Sequence, residues 1–166
     1  MAPYNALAIA NYLLDKAKSE GNPLTPMKLL KLIYFAHGWH LALYGGKPLI
    51  NEQVQAWDYG PVVSSVYHEF KKFGSGRIEQ LGTDMDLSTG EIVTPRIALD
   101  DQQTIALLDK IWEIYGKYTG VQLSNLTHEA NSPWTSVRND PENAGMRSVG
   151  IPNLLIQKDF ELKKAA

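Results

Sequence analysis

The sequence has 166 residues, of which 44% are apolar and 20% are charged, as in ordinary globular domains. Its formal net charge of -2, with 16 Lys plus Arg against 18 Asp plus Glu, gives no general attraction to nucleic acid or to anionic membranes. The absence of cysteine excludes disulfides, thiolate metal sites and a cysteine nucleophile. We therefore expect a single domain, residues 1–166, for which nucleic acid is an unlikely partner class.

The first helix is predicted from Asn5 to about Glu20, ahead of a Gly21-Asn22-Pro23 break. Polar residues interrupt its apolar stripe and no basic leader precedes it, which argues against a signal peptide. No window of the sequence approaches the ~18 unbroken apolar residues of a membrane span. The sequence therefore favours a cytoplasmic protein without a membrane partner.

The second helix is predicted to start at Thr25-Pro26, because a hydroxyl cap followed by proline suits the first turn of a helix. It continues to Tyr44 and is apolar nearly all round, which is typical of a helix surrounded by other elements. Lys28 and Lys31 fall on one side of this helix, and His37 falls on the opposite side. We therefore expect it to be the central helix of the fold.

Short β-like pieces are expected around Leu49-Ile50 and from Val54 to Trp57. A third helix is predicted from Val62 to Phe73, with the Gly60-Pro61 pair supplying a turn and a proline at the helix start. Trp57 and Tyr59 are expected to brace this turn against the central helix. Whether Tyr59 also presents a surface to a partner is left open by the pattern.

Residues 77–99 are predicted to form a small hairpin excursion with Ser88-Thr89-Gly90 at its tip. Two more helices follow the capping signals Asp100–Gln103 and Thr119–Gln122. Ser132-Pro133-Trp134 is predicted to be a tight turn, and a last helix is expected from about Pro152 to Lys164. The predicted fold is mainly α, a single-domain helical bundle around a central apolar helix with a minor β-hairpin excursion.

Two histidines in the second helix have the spacing of a metal-binding pair. His37 and His40 lie at i and i+3 on one helix face, but a metal site needs a third ligand and no carboxylate shares that face. Asp58, His68 or His128 would have to reach them through the fold. We therefore favour structural histidines that hydrogen-bond to the backbone or to tyrosine.

Two other groups of residues have some features of a catalytic site. Ser64 and His68, at i and i+4, could be a nucleophile and its base, but no G-x-S-x-G elbow surrounds the serine. His128 and Glu129 could act as a general acid or base, or His128 could simply end a helix and pack near Trp134. No glycine-rich segment has the spacing of a nucleotide-binding loop, and we expect no catalytic residue, metal or cofactor.

Three blocks of the sequence together resemble one known family. The blocks are KLLKLIYFAHGWHLALYGGKPL (28–49), VQAWDYGPVVSSVYHEFKKFG (54–74) and LSNLTHEANSPWTSVR (123–138). In this order and spacing they resemble the Panacea antitoxin domain, the SocA-like or phage-associated GepA-like family. The resemblance runs from Leu7 to about Phe160 and is weakest over residues 82–97.

The resemblance implies a small helical antitoxin that neutralises a protein toxin encoded by a neighbouring reading frame, through direct protein–protein contact. It leaves open a proteolytic adaptor that delivers the toxin to a protease. A small His/Glu or metal-assisted enzyme, and more weakly a DNA-binding autoregulator, are the alternatives outside this class. The family supplies no established catalytic residues.

A binding protein of this kind needs a few large anchor residues near the centre of its interface. We expect those anchors at Trp57, Tyr59, Tyr67 and Trp134, and a second contact in the excursion 77–99. The other residues prominent in the family blocks are expected to be structural: His37, Trp39, Gly60, Pro61, His128 and Pro133.

Overall fold

The computed structural model describes all residues 1–166 and contains seven α-helices and five short strands. The helices are α1 (Ala6–Ser19), α2 (Pro26–Leu43), α3 (Ser64–Phe70), α4 (Gln102–Tyr115), α5 (Gly120–Thr127), α6 (Pro133–Asn139) and α7 (Asn153–Ala165). The strands are β1 (Gln55–Trp57), β2 (Gly60–Val62), β3 (Asp84–Met85), β4 (Ile92–Val93) and β5 (Val149–Gly150). Short 3₁₀ turns occur at Lys71–Phe73 and Pro141–Asn143.

Helix α2 is the centre of the fold. It packs against α1, α3, α4, α5 and α7, and 15 of its 18 residues are buried. Its first turn is capped by Thr25, whose side chain accepts a hydrogen bond from the backbone N–H of Lys28. Because one buried apolar cluster takes residues from all seven helices, the prediction of a mainly α-helical fold around a central apolar helix is confirmed.

Helix α7 reaches the core through Ile156 and the aromatic side chain of Phe160, both fully buried. The Phe160 ring lies edge-on to Tyr34, Phe35 and Trp39, with centroid distances of 5.7, 5.9 and 5.4 Å. Such edge-to-face contacts add to the stabilisation that burial of apolar area provides. The last predicted helix is therefore confirmed, and it closes one side of α2.

A three-stranded antiparallel sheet in the order β2-β1-β5 lies beside the bundle. In this sheet Gln55 pairs with Val62 on one side and with Gly150 on the other. The two-residue connection between β1 and β2 consists of Asp58 and Tyr59. The sheet therefore joins the middle of the chain to a segment close to its C-terminal helix.

Two of the proline-based predictions were wrong. Gly60-Pro61 belongs to strand β2 and does not start a helix, because the pairing of Gln55 with Val62 keeps the chain extended there. β2 is an edge strand, where the missing N–H of proline is tolerated. The segment predicted as a tight turn starts α6 instead, with Ser132 accepting a hydrogen bond from the backbone N–H of Thr135 and Pro133 at the first helical position.

The excursion between residues 77 and 99 contains a smaller hairpin than predicted. Only Asp84–Met85 and Ile92–Val93 pair as strands. Buried Asn11 of α1 holds its base: its side-chain oxygen accepts from the Gly82 N–H at 2.7 Å, and its side-chain nitrogen donates to the carbonyl oxygens of Gly82 and Pro95, both at 3.0 Å. One polar side chain thus fixes both ends of the hairpin to α1.

None of the helices combines the length and the apolar character required to cross a membrane.

Candidate functional site

A groove of about 630 Å³ lies between the first two turns of α2, the β1–β2 turn and α3. We call it the aromatic groove. It is lined by Pro26, Met27, Leu30, Lys31, Trp57, Asp58, Tyr59, Val62, Tyr67, Gly74, Arg147 and Ser148.

The aromatic wall of the groove is held by packing and by hydrogen bonds. The rings of Trp57 and Tyr67 meet edge to face, with centroids 4.9 Å apart. The Trp57 indole N–H also faces two acceptors, Gln55 Oε1 at 3.0 Å and Ser148 Oγ at 2.9 Å. Because both rings are only partly buried, they keep one face toward the groove in a fixed orientation.

The β1–β2 turn is attached to the helices behind it. The Trp134 indole N–H donates to the carbonyl oxygen of Trp57 at 2.6 Å, and Ser124 Oγ donates to the carbonyl oxygen of Tyr59 at 3.0 Å. Trp134 therefore does not line the groove, although sequence reasoning placed it beside the other three aromatic residues. Its role in this geometry is to position Trp57.

The side chain of Tyr59 does not brace the turn. It is 76% exposed, so the expectation that it packs against the central helix was wrong. Hydrogen bonds to the carbonyl oxygens of Trp57 and Tyr59 already hold the turn. Tyr59 is therefore a large aromatic side chain that no part of the fold requires to be buried.

Lys31 forms part of the groove wall although only 1% of it is exposed. Its ammonium group donates to the carbonyl oxygen of Pro61 at 3.1 Å, and no carboxylate pairs with it. Burial lowers the pKa of Lys31 to about 8, so the group is still mostly protonated at neutral pH. The groove therefore contains a buried positive charge without a counter-ion.

Gly60 provides the space that the Lys31 ammonium occupies. Its φ is +116°, a conformation that favours glycine. A Cβ at this position would lie 2.8 Å from Lys31 Nζ and 3.1 Å from Thr127 Oγ1. The glycine of the AWDYGPVV segment thus permits both the shape of the strand and the position of the charge.

His128 lies close to this charge at the end of α5. Its ring packs against Trp134 at a tilt of 32°, with a centroid distance of 4.0 Å, and its buried Nε2 has no hydrogen-bond partner. Burial, together with the nearby Lys31 ammonium, lowers the pKa of His128. The neutral imidazole therefore adds no counter-charge to Lys31.

The partly buried charged side chains in the two other large cavities, Lys16 and Asp101, have partners. In a cavity of about 560 Å³ beside α1, Arg96 pairs with Asp15 and Lys16 lies 3.1 Å from Asp109. In a cavity of about 800 Å³ near the N-terminus, half-buried Asp101 accepts from the Tyr4 and Thr104 hydroxyls, both at 2.7 Å. The aromatic groove differs because its buried charge is not neutralised.

The histidines of α2 lie outside the groove, and each has a protein partner through at least one ring nitrogen, although His40 Nε2 is buried without one. The Leu49 N–H donates to His37 Nδ1 at 3.3 Å, so His37 Nε2 carries the proton and donates to Asn153 Oδ1 at 2.9 Å. His40 Nδ1 donates to the carbonyl oxygen of Lys47 at 2.6 Å. No group of three or more His, Cys, Asp or Glu side chains is arranged to hold a metal ion.

The remaining family-block residues also make internal contacts. The Trp39 indole N–H donates to the Tyr115 hydroxyl at 2.9 Å, and Pro133 occupies the first position of α6. Ser64 and His68 share α3 without a hydrogen bond between them. His68 instead packs against Tyr67 and lies 3.4 Å from Lys71 Nζ through its Nδ1.

Sequence reasoning missed Lys31 and Arg147 as groove residues. The helical periodicity placed Lys31 on one face of α2 but gave no indication that α5 and β2 cover that face. Arg147 lies in an irregular segment that only the pairing of β5 with β1 brings near Trp57. Its sequence neighbourhood has no periodicity from which this position could have been found.

Comparison with known protein families shows the family to which this chain belongs. Residues 29–135 match the family described as "Antitoxin SocA-like, Panacea domain". The matched region includes most of α2, the β1–β2 turn, α3 and α5, which together supply most of the groove and of its supporting contacts. The chain belongs to this SocA-like, Panacea-domain antitoxin family.

A curated relative extends the similarity beyond the matched region. Antitoxin SocA of Caulobacter vibrioides (strain NA1000 / CB15N) is 33% identical to this chain over 165 residues, which cover 98% of this chain and 85% of that antitoxin. No solved structure is significantly similar to the chain.

Proposed function

We propose that this chain is the antitoxin of a toxin–antitoxin pair and that it neutralises a protein toxin, encoded by a neighbouring reading frame, by binding it directly. The observation that carries the proposal is family membership, supported by 33% identity to an antitoxin across nearly the whole chain. The proposal treats residues 1–166 as one cytoplasmic antitoxin domain. It assigns no catalytic step, metal or cofactor to the chain.

The contact surface in this proposal is the aromatic groove. Interfaces concentrate their binding energy in a few Trp, Tyr and Arg residues near the centre. The rings of Trp57, Tyr59 and Tyr67 lie together at the groove, and Trp134 holds the backbone of Trp57. The groove therefore offers anchor residues on a rigid support, which lowers the entropy lost on binding.

Co-expression with the protein of the neighbouring reading frame tests the proposal. We expect that protein to be toxic when expressed alone, harmless when expressed with this chain, and to co-purify with it. A neighbour that is harmless alone, or that stays toxic and does not co-purify, would contradict the proposal. A toxin whose cellular amount falls in the presence of this chain, and recovers in a protease-deficient host, would indicate a proteolytic adaptor instead.

Tyr59→Ala tests the groove itself. Tyr59 is 76% exposed and Leu162 of α7 is 73% exposed, so Leu162→Ala is a matched control that removes a similarly exposed apolar side chain outside the groove. We expect Tyr59→Ala to weaken toxin binding at least tenfold without changing the unfolding curve, and Leu162→Ala to behave as wild type. Equal binding by both variants would move the contact surface away from the groove.

A further inference from the structure

The Lys31 ammonium is a buried cation for which the fold provides too few partners. It has three N–H donors but a single protein acceptor, the carbonyl oxygen of Pro61. An ammonium that is removed from water without a counter-ion destabilises the folded state substantially. The nearby imidazole of His128 is no counter-ion, because burial and the ammonium lower its pKa and the neutral ring carries no negative charge.

No free carboxylate near Lys31 lines the groove to neutralise its charge. Asp58 is the only acidic residue that lines the groove, and its carboxylate accepts from Arg138 Nη2 at 2.7 Å. Arg147 is exposed at the groove lining and forms no ion pair. The groove therefore has an excess of positive charge between aromatic walls.

From this charge balance we infer that the aromatic groove receives an acidic side chain, carried on an apolar segment of the partner protein, and that Lys31 is its counter-ion. The inference rests on the proposed function, since the partner is the toxin. The apolar part of the segment packs against Trp57, Tyr59 and Tyr67, and its carboxylate pairs with Lys31 while Arg147 attracts it at the edge. The four methylenes of a lysine allow its ammonium to turn from Pro61 toward a carboxylate in the groove.

Two roles of Lys31 predict opposite effects on stability. If the lysine only attached α2 to β2 through Pro61, replacing it by an apolar side chain of similar length would destabilise the free protein. If its charge is kept for a partner, the replacement removes an unneutralised buried charge and stabilises the free protein. Lys31→Met separates these roles because methionine fills a similar volume without charge.

The experiment measures the stability of the free chain and its binding to the neighbouring reading frame's protein. We expect Lys31→Met to unfold at a higher urea concentration than wild type. We expect its affinity for that protein to fall by a factor of about 30 or more. A factor of about 30 is the smallest loss expected when one member of a buried charge pair is truncated. A lower unfolding midpoint, or unchanged binding, would overturn the inference.

A second pair of variants keeps the test independent of the folding of Lys31→Met. Arg147→Glu reverses the charge at the groove, and Lys158→Glu makes the same change at an exposed position of α7. We expect Arg147→Glu to weaken binding more strongly than Lys158→Glu, with a difference that shrinks at high salt. Equal effects would show a general charge effect and overturn the inference.

The two proposals fail in different ways. If the wild-type chain does not bind the neighbouring protein, the proposed function fails. If the wild type binds and the Lys31 and Arg147 variants bind equally well, only the acidic-side-chain inference fails.

Discussion

Gly38 of α2 lies directly against the ring of Phe160 of α7, and a methyl group at position 38 would overlap that ring. Gly38 is the only glycine in α2, so it is the point at which another element can approach the helix backbone most closely. The gap receives an aromatic ring whose neighbours are Tyr34, Phe35 and Trp39. The pair therefore determines how closely α7 packs on the central helix.

Gly38→Ala should destabilise the protein by about 2 kcal/mol. Overpacking costs about 1–3 kcal/mol, and the overlap with Phe160 places this substitution at the upper end of that range. The higher helix propensity of alanine offsets about 1 kcal/mol of the cost. Urea unfolding followed by circular dichroism measures the change. An unchanged or higher stability would contradict the close contact.

The double variant provides the control for that contact. Phe160→Ala alone should cost about 3–5 kcal/mol because it leaves a cavity. In Gly38→Ala/Phe160→Ala the added methyl lies in the space that the ring has vacated. The double variant should therefore lose less stability than the sum of the losses in the two single variants. Strict additivity would mean that the two residues do not touch.

Asn11→Ala should release the hairpin excursion from α1. The substitution removes three hydrogen bonds to Gly82 and Pro95 and leaves buried backbone groups without partners, at a cost of about 1–3 kcal/mol. Amide hydrogen exchange at Gly82 should accelerate more than exchange within α2. Asn22→Ala, just after α1, removes one partly buried hydrogen bond to Gly116 and should leave Gly82 exchange unchanged.

Gly60→Ala should be more harmful than Gly90→Ala, although both glycines have positive φ. Gly90, with φ of +73°, has no atom within 4 Å of the place that an added methyl would occupy, so alanine there costs only the left-handed strain of about 1–2 kcal/mol. At Gly60 the methyl would also displace the Lys31 ammonium. Thermal unfolding of the two variants should therefore differ by several degrees, and similar values would argue against the contact with Lys31.

The stability of the protein should fall between pH 6.5 and pH 4 because of His37. Burial lowers its pKa to about 4, whereas the unfolded chain binds the proton near pH 6.5. Protonation therefore favours the unfolded state as the pH falls through this window, by about 3 kcal/mol at its lower end.

His37→Gln isolates this contribution. The pKa values of His40 and His128 are also lowered by burial, so they act in the same direction and remain in the variant. We expect the stability of His37→Gln to depend less steeply on pH than that of the wild type. Parallel curves for the two proteins would show that His37 does not titrate as described.

The helices could largely be predicted because their start signals are local. Thr25-Pro26 and the Thr119–Gln122 capping box fold as their sequences indicate. Gly60-Pro61 looks similar to a helix start, but pairing with β1 decides its conformation. Ser132-Pro133 has the same chemistry as Thr25-Pro26 and does start a helix, so the tight turn predicted there was wrong although the local start signal was present.

The groove could be predicted only in part. Aromatic residues close together in sequence indicated Trp57, Tyr59 and Tyr67, which do line one groove. The burial of Lys31 depends on α5 and β2 covering one face of α2, and Arg147 arrives through the pairing of β5 with β1. Contacts between segments so distant in sequence leave no periodic signal, which is why the charge of the groove was not foreseen.

The position of Phe160 also has a consequence for synthesis. The ribosome makes α2 early and α7 late, and at roughly 5–20 residues per second the interval between them is on the order of 10 s. During that interval the apolar face of α2 near Gly38 has no cover. A nascent chain at this stage is a substrate for chaperones and proteases, so the rate of translation, as well as the amount of messenger, sets how soon folded protein accumulates.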